Sequence, residues 1–569
     1  MKKFIAYISI LVATSSMLSC ANFDEMNENP YAIYETTAES FVQPILYNTE
    51  YTIVNANKSL ISPLMQNSVS TNYETSAQLV YNYVIPEATL SSPWSIYAQF
   101  GNAQYMLEVA RKEQNPAMTG VALVLRSFIG AVLTDIYGNV PYFEAGKIAL
   151  QGDSFDYTTP YDDQKAIYAD ILRSLEEAND CFNKAKQMYA DKELTEINFN
   201  PICDFMYNGD VDKWHRFGNS LYLRLLMRVS LKTLEETGGE IDLGEEYGSI
   251  NVLAKITEIY NCFVAGDGSY PVMRSVDDSA RVTFSDKDSA LYTPFYKTTS
   301  GVWRNEAACS TLTDLMIFRN SSNSIILEDP RFYRIFTKPM GAPTQILRED
   351  MKAYFEEKVS KQGNSLIGRY TSGSSSATRL SGAPGIGNLK NADSYALMNY
   401  DEILFLFAEA GARNWIPTGQ VGYKKLYLDG ILNNVLQWEK GWESHESFVH
   451  AASQEVIDLI NYWDSQFDYS KALECIMTQK YIATTWVGVE TWADYRRTGY
   501  PILKTNGPAA SNRGILPTRM RYPATEAFQN AKHYEEAVSG WLGGENDMLT
   551  DMWWANTAES KALRKLGRQ

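Results

Sequence analysis

The chain has 569 residues, 45% hydrophobic content and a formal net charge of −17 at pH 7. The length exceeds one simple core and fits either one large helical unit or two lobes. The acidic balance excludes nucleic acid and anionic lipid as electrostatic partners, because both call for a basic face.

Lys2 and Lys3 open the chain, and residues 4–18 (FIAYISILVATSSML) are mostly apolar. A charged start, a short apolar run and the small Ser19 read as a secretory signal. The run is too short to cross a bilayer comfortably, which takes roughly 20 residues. Cys20 stands where the apolar run stops and ANFDEMNENP begins. That placement points to a bacterial lipoprotein, with residues 1–19 removed and Cys20 the lipidated first residue of the mature chain. Residues 20–34 then form an extended tether.

Residues 35–66 are expected to hold two helices broken at Pro44 and Pro63. A helix over 93–111 starts near Pro93, where a missing N–H costs little. The clearest helix spans 116–137. Val121, Leu125, Phe128, Val132 and Ile136 recur at spacings of three and four, and Gly138 stops it. Residues 162–186 form an amphipathic helix with Ile167, Ile171, Leu172 and Leu175 on one side. Asp210 caps a helix over 211–234. From about 263 to 363 the periodicity weakens into loops, a short strand or two (RVTF, IILEDPRF) and one helix near 307–319. Residues 373–387 (GSSSATRLSGAPGIG) read as a long loop. Helical character is expected to return at Ser394 and again over 421–437, 454–464 and 471–486. A loop-rich stretch follows to Pro523, then a last helix over 525–536. No repeat matches the tetratricopeptide consensus. Periodicity therefore gives a mostly α chain with an irregular, loop-rich insertion at about 263–390 that holds few short strands.

Motifs for chemistry are missing. The four histidines, His215, His445, His450 and His533, form no H-E-x-x-H zinc motif and read as surface or helix-end residues. No G-x-S-x-G elbow and no P-loop occurs. No metal or cofactor is expected. Glu402, Glu409, Arg496 and Arg497 read as structural partners or caps. Six cysteines without a C-x-x-C pair do not make a disulfide framework. The aromatics are more informative: 37 Tyr, 12 Trp and 23 Phe supply flat apolar faces with polar tips. A sugar ring packs its C–H face on such a ring, and its hydroxyls need polar partners beside it. Trp303 with Arg304 and Asn305 fits that pattern best, with Tyr292 and Tyr296 in the same insertion. Tyr73 and Trp94 flank an earlier loop; Trp94 also suits a core position, because it opens a helix.

Eight blocks in order resemble the SusD-like family of outer-membrane nutrient-binding lipoproteins, in its SusD-like_2 branch. They are CANFDEMNENPY after the signal, LRSFIGAVLTDIYGNVPYFEA from Leu125, DVDKWHRFGNSLYLRLLMRVS from Asp210, EDPRF from Glu328, SYALMNYDEILFLFAEA from Ser394, KKLYLDGI from Lys424, IMTQKYIATTWVGVETWADYRRTGYP from Ile476, and LPTRMRYPATEAFQN from Leu516. The resemblance implies a single domain over 35–569 with tetratricopeptide-like helix pairs and a ligand surface built on the variable loops. It implies a surface-exposed lipoprotein of the outer membrane. Such a protein sits as a lid on a SusC-like TonB-dependent transporter and delivers an oligosaccharide or polysaccharide, in some members a peptide, without catalysing a reaction. Asp24 and Glu25 resemble the family's surface-export signal. A surface glycosidase on a helical scaffold and an adhesin are the competing readings. Cys20→Ser is expected to move the protein from the membrane fraction to the soluble fraction; unchanged membrane retention would contradict the lipid anchor.

Overall fold

The computed structural model describes residues 36–70, 79–151, 156–266, 268–284, 306–336, 339–361, 394–440 and 449–568. The first long helix, α1 (Val42–Ala56), follows a 3-10 turn at Ala38–Phe41. Pro44 does not break it. Its ring falls in the first turn, where no intrahelical N–H is required. The break comes instead at a π turn, Asn57–Ile61, ahead of the short Ser62–Leu64 turn that contains Pro63.

Helix α2 (Tyr97–Lys112) runs into α3 (Pro116–Tyr137) through a tight turn capped by Asn115, whose side chain accepts from Met118 N at 3.1 Å. α3 is long and apolar enough to cross a membrane, yet all of its residues are buried inside the protein. Neighbours cover it on every side: α1, α2, α4 (Gln164–Ala190) and α5 (Val211–Thr237). Glycine permits the closest approaches. A Cβ on Gly120 would sit 2.8 Å from the Phe182 ring, and one on Gly218 would sit 2.8 Å from Val124.

A helix buried to its end must satisfy its last carbonyls. Arg496 and the segment that follows Leu516 do this together. Arg496 Nη1 donates to Asp135 O at 2.6 Å, Met520 N to Ile136 O at 2.8 Å, and Arg519 Nε to Tyr137 O at 3.2 Å. Among the described residues Arg496 has no carboxylate partner of its own. It lies over the Trp492 ring, 3.6 Å from the centroid, with Trp554 at 4.9 Å. Of the two arginines expected to be acid partners or caps, Arg496 is the cap.

Asp163 and Asp210 cap α4 and α5. A short hairpin, β2 (Glu240–Asp242) with β3 (Ser249–Asn251), leads to α6 (Val252–Ala265), a helix the periodicity did not reveal. The insertion then brings β4 (Ala280–Thr283), β5 (Glu306–Ala308), α7 (Ser310–Met316), β6 (Ile317–Arg319), β7 (Ile325–Glu328) and α8 (Arg348–Lys361). The helix expected near 307–319 is only its middle, because a strand occupies each end. Ser394–Met398 is a strand, β8, and not the start of a helix. It pairs antiparallel with β4 and is buried on both faces. The helix begins after it as α9 (Tyr400–Ala412), followed by α10 (Gly419–Glu439), α11 (Gln454–Gln466), α12 (Ala472–Ala483), α13 (Glu490–Thr498), α14 (Ala531–Ser539) and α15 (Ala558–Leu566). The helix expected over 525–536 is split, with a separate short turn at Glu526–Gln529. The fold is mostly α. Helices pack as tetratricopeptide-like pairs, α2 with α3, α4 with α5 and α9 with α10.

Through this core runs a band of buried ion pairs. Arg228 on α5 bonds both Asp135 on α3 and Glu490 on α13. Arg224 on α5 grips Glu402 on α9 with Nε at 2.8 Å and Nη2 at 2.6 Å. Arg497 on α13 holds Glu409 on α9 through two bonds of 2.6 Å, and Asp494 at 2.9 Å. Lys480 on α12 reaches Asp494 at 2.7 Å. Burial opposes ionisation of Glu409, but the Arg497 and Arg413 charges outweigh it and bring the carboxyl down to about 2. Glu402, Glu409 and Arg497 are thus structural, as expected. Arg497→Met leaves Glu409 with Arg413 alone and Asp494 with Lys480 alone, and should cost up to about 3–5 kcal/mol in urea unfolding. The folded Glu409 pKa lies below its unfolded value, so its contribution is present above pH 4.5. That contribution should fall away from about pH 4.5 towards 2, by roughly 1.4 kcal/mol per unit at most.

Candidate functional site

Two antiparallel ladders fasten the insertion to the helical frame. In the first, β1 (Ser68–Ser70) pairs with β5, and Ser70 lies opposite Glu306. In the second, β4 pairs with β8, and Thr283 lies opposite Ser394. Their ends face the stretches 71–78, 285–305 and 362–393, which lie outside the described residues. Tyr73, Tyr292, Tyr296, Trp303, Arg304 and Asn305 fall in those stretches, and Cys20 also lies outside the described residues. What the structure describes is the pair of ladders that adjoin those stretches in sequence.

The ladders are built firmly. Under the β1–β5 ladder a small core gathers Val69, Tyr81, Ala307, Cys309, Met351 and Phe355. Gln345 stitches it to the frame. Its Nε2 donates to Tyr83 Oη at 2.9 Å and to Lys504 O at 2.9 Å, and its Oε1 accepts from Gly507 N at 3.1 Å. Gln66 Nε2 reaches the same Lys504 carbonyl at 2.6 Å.

Trp94 is described and is half-buried. It stands on the 3-10 turn Ser92–Ile96, with the rings of Tyr137 at 4.8 Å, Tyr97 at 4.9 Å and Tyr522 at 6.3 Å. The helical frame thus surrounds it with aromatic edges.

Groups of catalytic type are committed elsewhere. His215, expected at the surface or a helix end, is fully buried. It stacks on Phe182 at 5.1 Å, and its Nε2 meets Asn179 Oδ1 at 2.7 Å. Burial pulls its pKa well below the ordinary value, with Lys186 and Arg216 adding to the effect. Among the described residues no group of three or more His, Cys, Asp or Glu could hold a metal ion. An open groove between the start of α4 and the β2–β3 hairpin is lined by Asp163, Lys165, Asp170, Arg173, Ile241 and Leu243. None of the residues lining it is aromatic, so it offers no sugar-stacking face.

The SusD-like_2 family, described as "Starch-binding associating with outer membrane", matches residues 30–523. The chain belongs to this family. No curated protein matches its sequence significantly. Solved SusD homologues share the fold. A chitin-binding SusD homologue from Flavobacterium johnsoniae is 20% identical with a TM-score of 0.65, covering 92% of this chain and 99% of that one. A SusD homologue from Bacteroides uniformis is 22% identical with a TM-score of 0.64, covering 92% and 100%. An outer-membrane protein from Bacteroides vulgatus, described as probably involved in nutrient binding, is 20% identical with a TM-score of 0.66, covering 92% and 100%. This SusD-like chain therefore has the family's helical frame, with its insertion mounted on two ladders. Short strands fall on RVTF (β4) and IILE (β7), as expected, while the others escaped periodicity because three to five residues carry too little pattern. Gln345→Leu should cost about 1–2 kcal/mol, because it removes three hydrogen bonds and takes the amide partner from the buried Tyr83 hydroxyl. It should also raise amide exchange in β1 and β5 before the helices, and equal protection throughout would contradict the stitching role.

Proposed function

We propose that this SusD-like protein is a non-enzymatic cell-surface lipoprotein that binds a glycan and passes it to a SusC-like TonB-dependent transporter of the outer membrane. Cys20 is its lipid anchor. The ligand surface is carried by the insertion, with Trp303 as the stacking face, Arg304 and Asn305 as hydroxyl partners, and Tyr292, Tyr296 and Tyr73 around them. Trp94 is assigned to the frame beneath.

The observation that carries this reading is the pairing of Ser70 with Glu306. Tyr73 follows Ser70 by three positions, and Trp303 precedes Glu306 by three. A chain of three residues reaches about 11 Å at most. That pairing supports assigning Tyr73 and Trp303 to one ligand surface. The commitment of Glu402, Glu409, Glu490 and Asp494 to ion pairs supports binding over hydrolysis at those residues, since a glycosidase needs two carboxylates free to face the glycosidic bond. Descriptions of the relatives support the ligand class: the family is described as starch-binding and one structural neighbour as a chitin-binding homologue.

The mature protein is expected to bind oligosaccharides of chitin or starch in titration calorimetry and to release no product. Trp303→Ala should weaken that binding by roughly tenfold or more, the usual effect of truncating a central aromatic. Product formation, or affinity unchanged by the substitution, would contradict the assignment.

A further inference from the structure

Among the described residues, Glu50 is a buried carboxylate outside the ion-pair band. Glu50 lies on α1, which packs against both β4 and β8. It is completely buried, and neither of its carboxyl oxygens has a hydrogen-bond partner. An ionised carboxylate is strongly disfavoured in such surroundings, so the group keeps its proton. Burial pushes it up to about 8, against the opposing charge of Arg281.

Arg281 on β4 is the one cation whose charge acts on Glu50 among the described residues. Its hydrogen bonds go elsewhere. Nε donates to Ser394 Oγ at 3.1 Å, Nη2 to Ser394 O at 2.6 Å and Nη1 to Asn399 Oδ1 at 3.0 Å. Ser394 opens β8 and Asn399 follows its last residue, so one guanidinium clamps both ends of the strand to β4. The rings of Tyr47, Phe284 and Tyr395, with centroids 5.4 and 5.8 Å apart, pack beside the same strands. The other ionisable groups here are the Tyr395 hydroxyl from β8 and Asp401 from the start of α9, and both act on Arg281. Asp401 has its own partner, Asn434 Nδ2 at 3.1 Å. No charge from the Ser92–Ile96 turn, α2 or α3 acts on Glu50 among the described residues.

We propose that Glu50 is a proton-held latch on the β4–β8 ladder: neutral, it leaves Arg281 clamped across β8, and ionised, it draws the guanidinium away from Ser394 and Asn399. In the drawn state Glu50 is paired and titrates in the ordinary carboxylate range. The sign follows. The clamped state binds the proton more tightly, so clamping is favoured at low pH and lost as pH rises. The unclamped population should grow about tenfold per pH unit up to about pH 8 and then level.

Amide exchange of the full-length protein tests this, corrected for the intrinsic pH dependence of exchange and compared with Glu50→Gln. In the wild type, protection of the β8 amides should fall by about tenfold per unit from pH 6 to 8 and level above that, while α4 stays protected. In Glu50→Gln the step should vanish. Glu50→Met removes the same proton and serves if the first variant does not fold. Wild-type protection that does not change with pH, or the same step in a folded variant, would overturn the proposal.

Discussion

The guanidinium of Arg228, held between Asp135 and Glu490, is the contact on which the helical frame depends. It ties α3, α5 and α13 together at one buried point. From there the band continues through Arg224 to α9, and through Glu409, Arg497 and Lys480 to α13 and α12. Apolar packing alone fixes volume better than orientation, since many arrangements of greasy helices bury similar area. Charged forks fix orientation, because a misplaced partner leaves a charge buried without compensation. The largely apolar α3, with Asp135 as its buried ion-pair partner, can therefore sit in one register among four neighbours. Its last carbonyls are closed by Arg496, Met520 and Arg519 from the far end of the chain.

This arrangement separates support from recognition. Frame carboxylates such as Glu402, Glu409 and Asp494 are bonded to their cations inside the frame. The insertion is joined to the frame through short ladders and a small core of its own. Such a join tolerates change in the stretches it carries, while Gln345 and the helices stay fixed. A binding protein that must suit different glycans benefits from that division, and a fixed catalytic pair does not need it.

The parts legible in sequence were those with strong local punctuation. Asn115-Pro116 and Gly138 bound α3 at the residues expected, and Asp210 caps α5 as its position suggested. Ser394–Met398 misled because SYALM is buried on both faces, so it shows no alternation and runs straight into an apolar helix. Helix α6 was hidden by the adjacent glycines and by its start at Asn251 inside a hairpin. His215 reads as a polar residue in a helix, and only the packed structure supplies Phe182 and Asn179 around it. Likewise, only pairing between distant strands shows that Ser70 and Glu306 lie opposite each other.

The account stands or falls on the uptake complex. Tagged full-length protein should be drawn from detergent-solubilised outer membrane and its companions identified by mass. A TonB-dependent β-barrel recovered in equal amount is the predicted result. A surface-lipidated protein recovered without any barrel would contradict it.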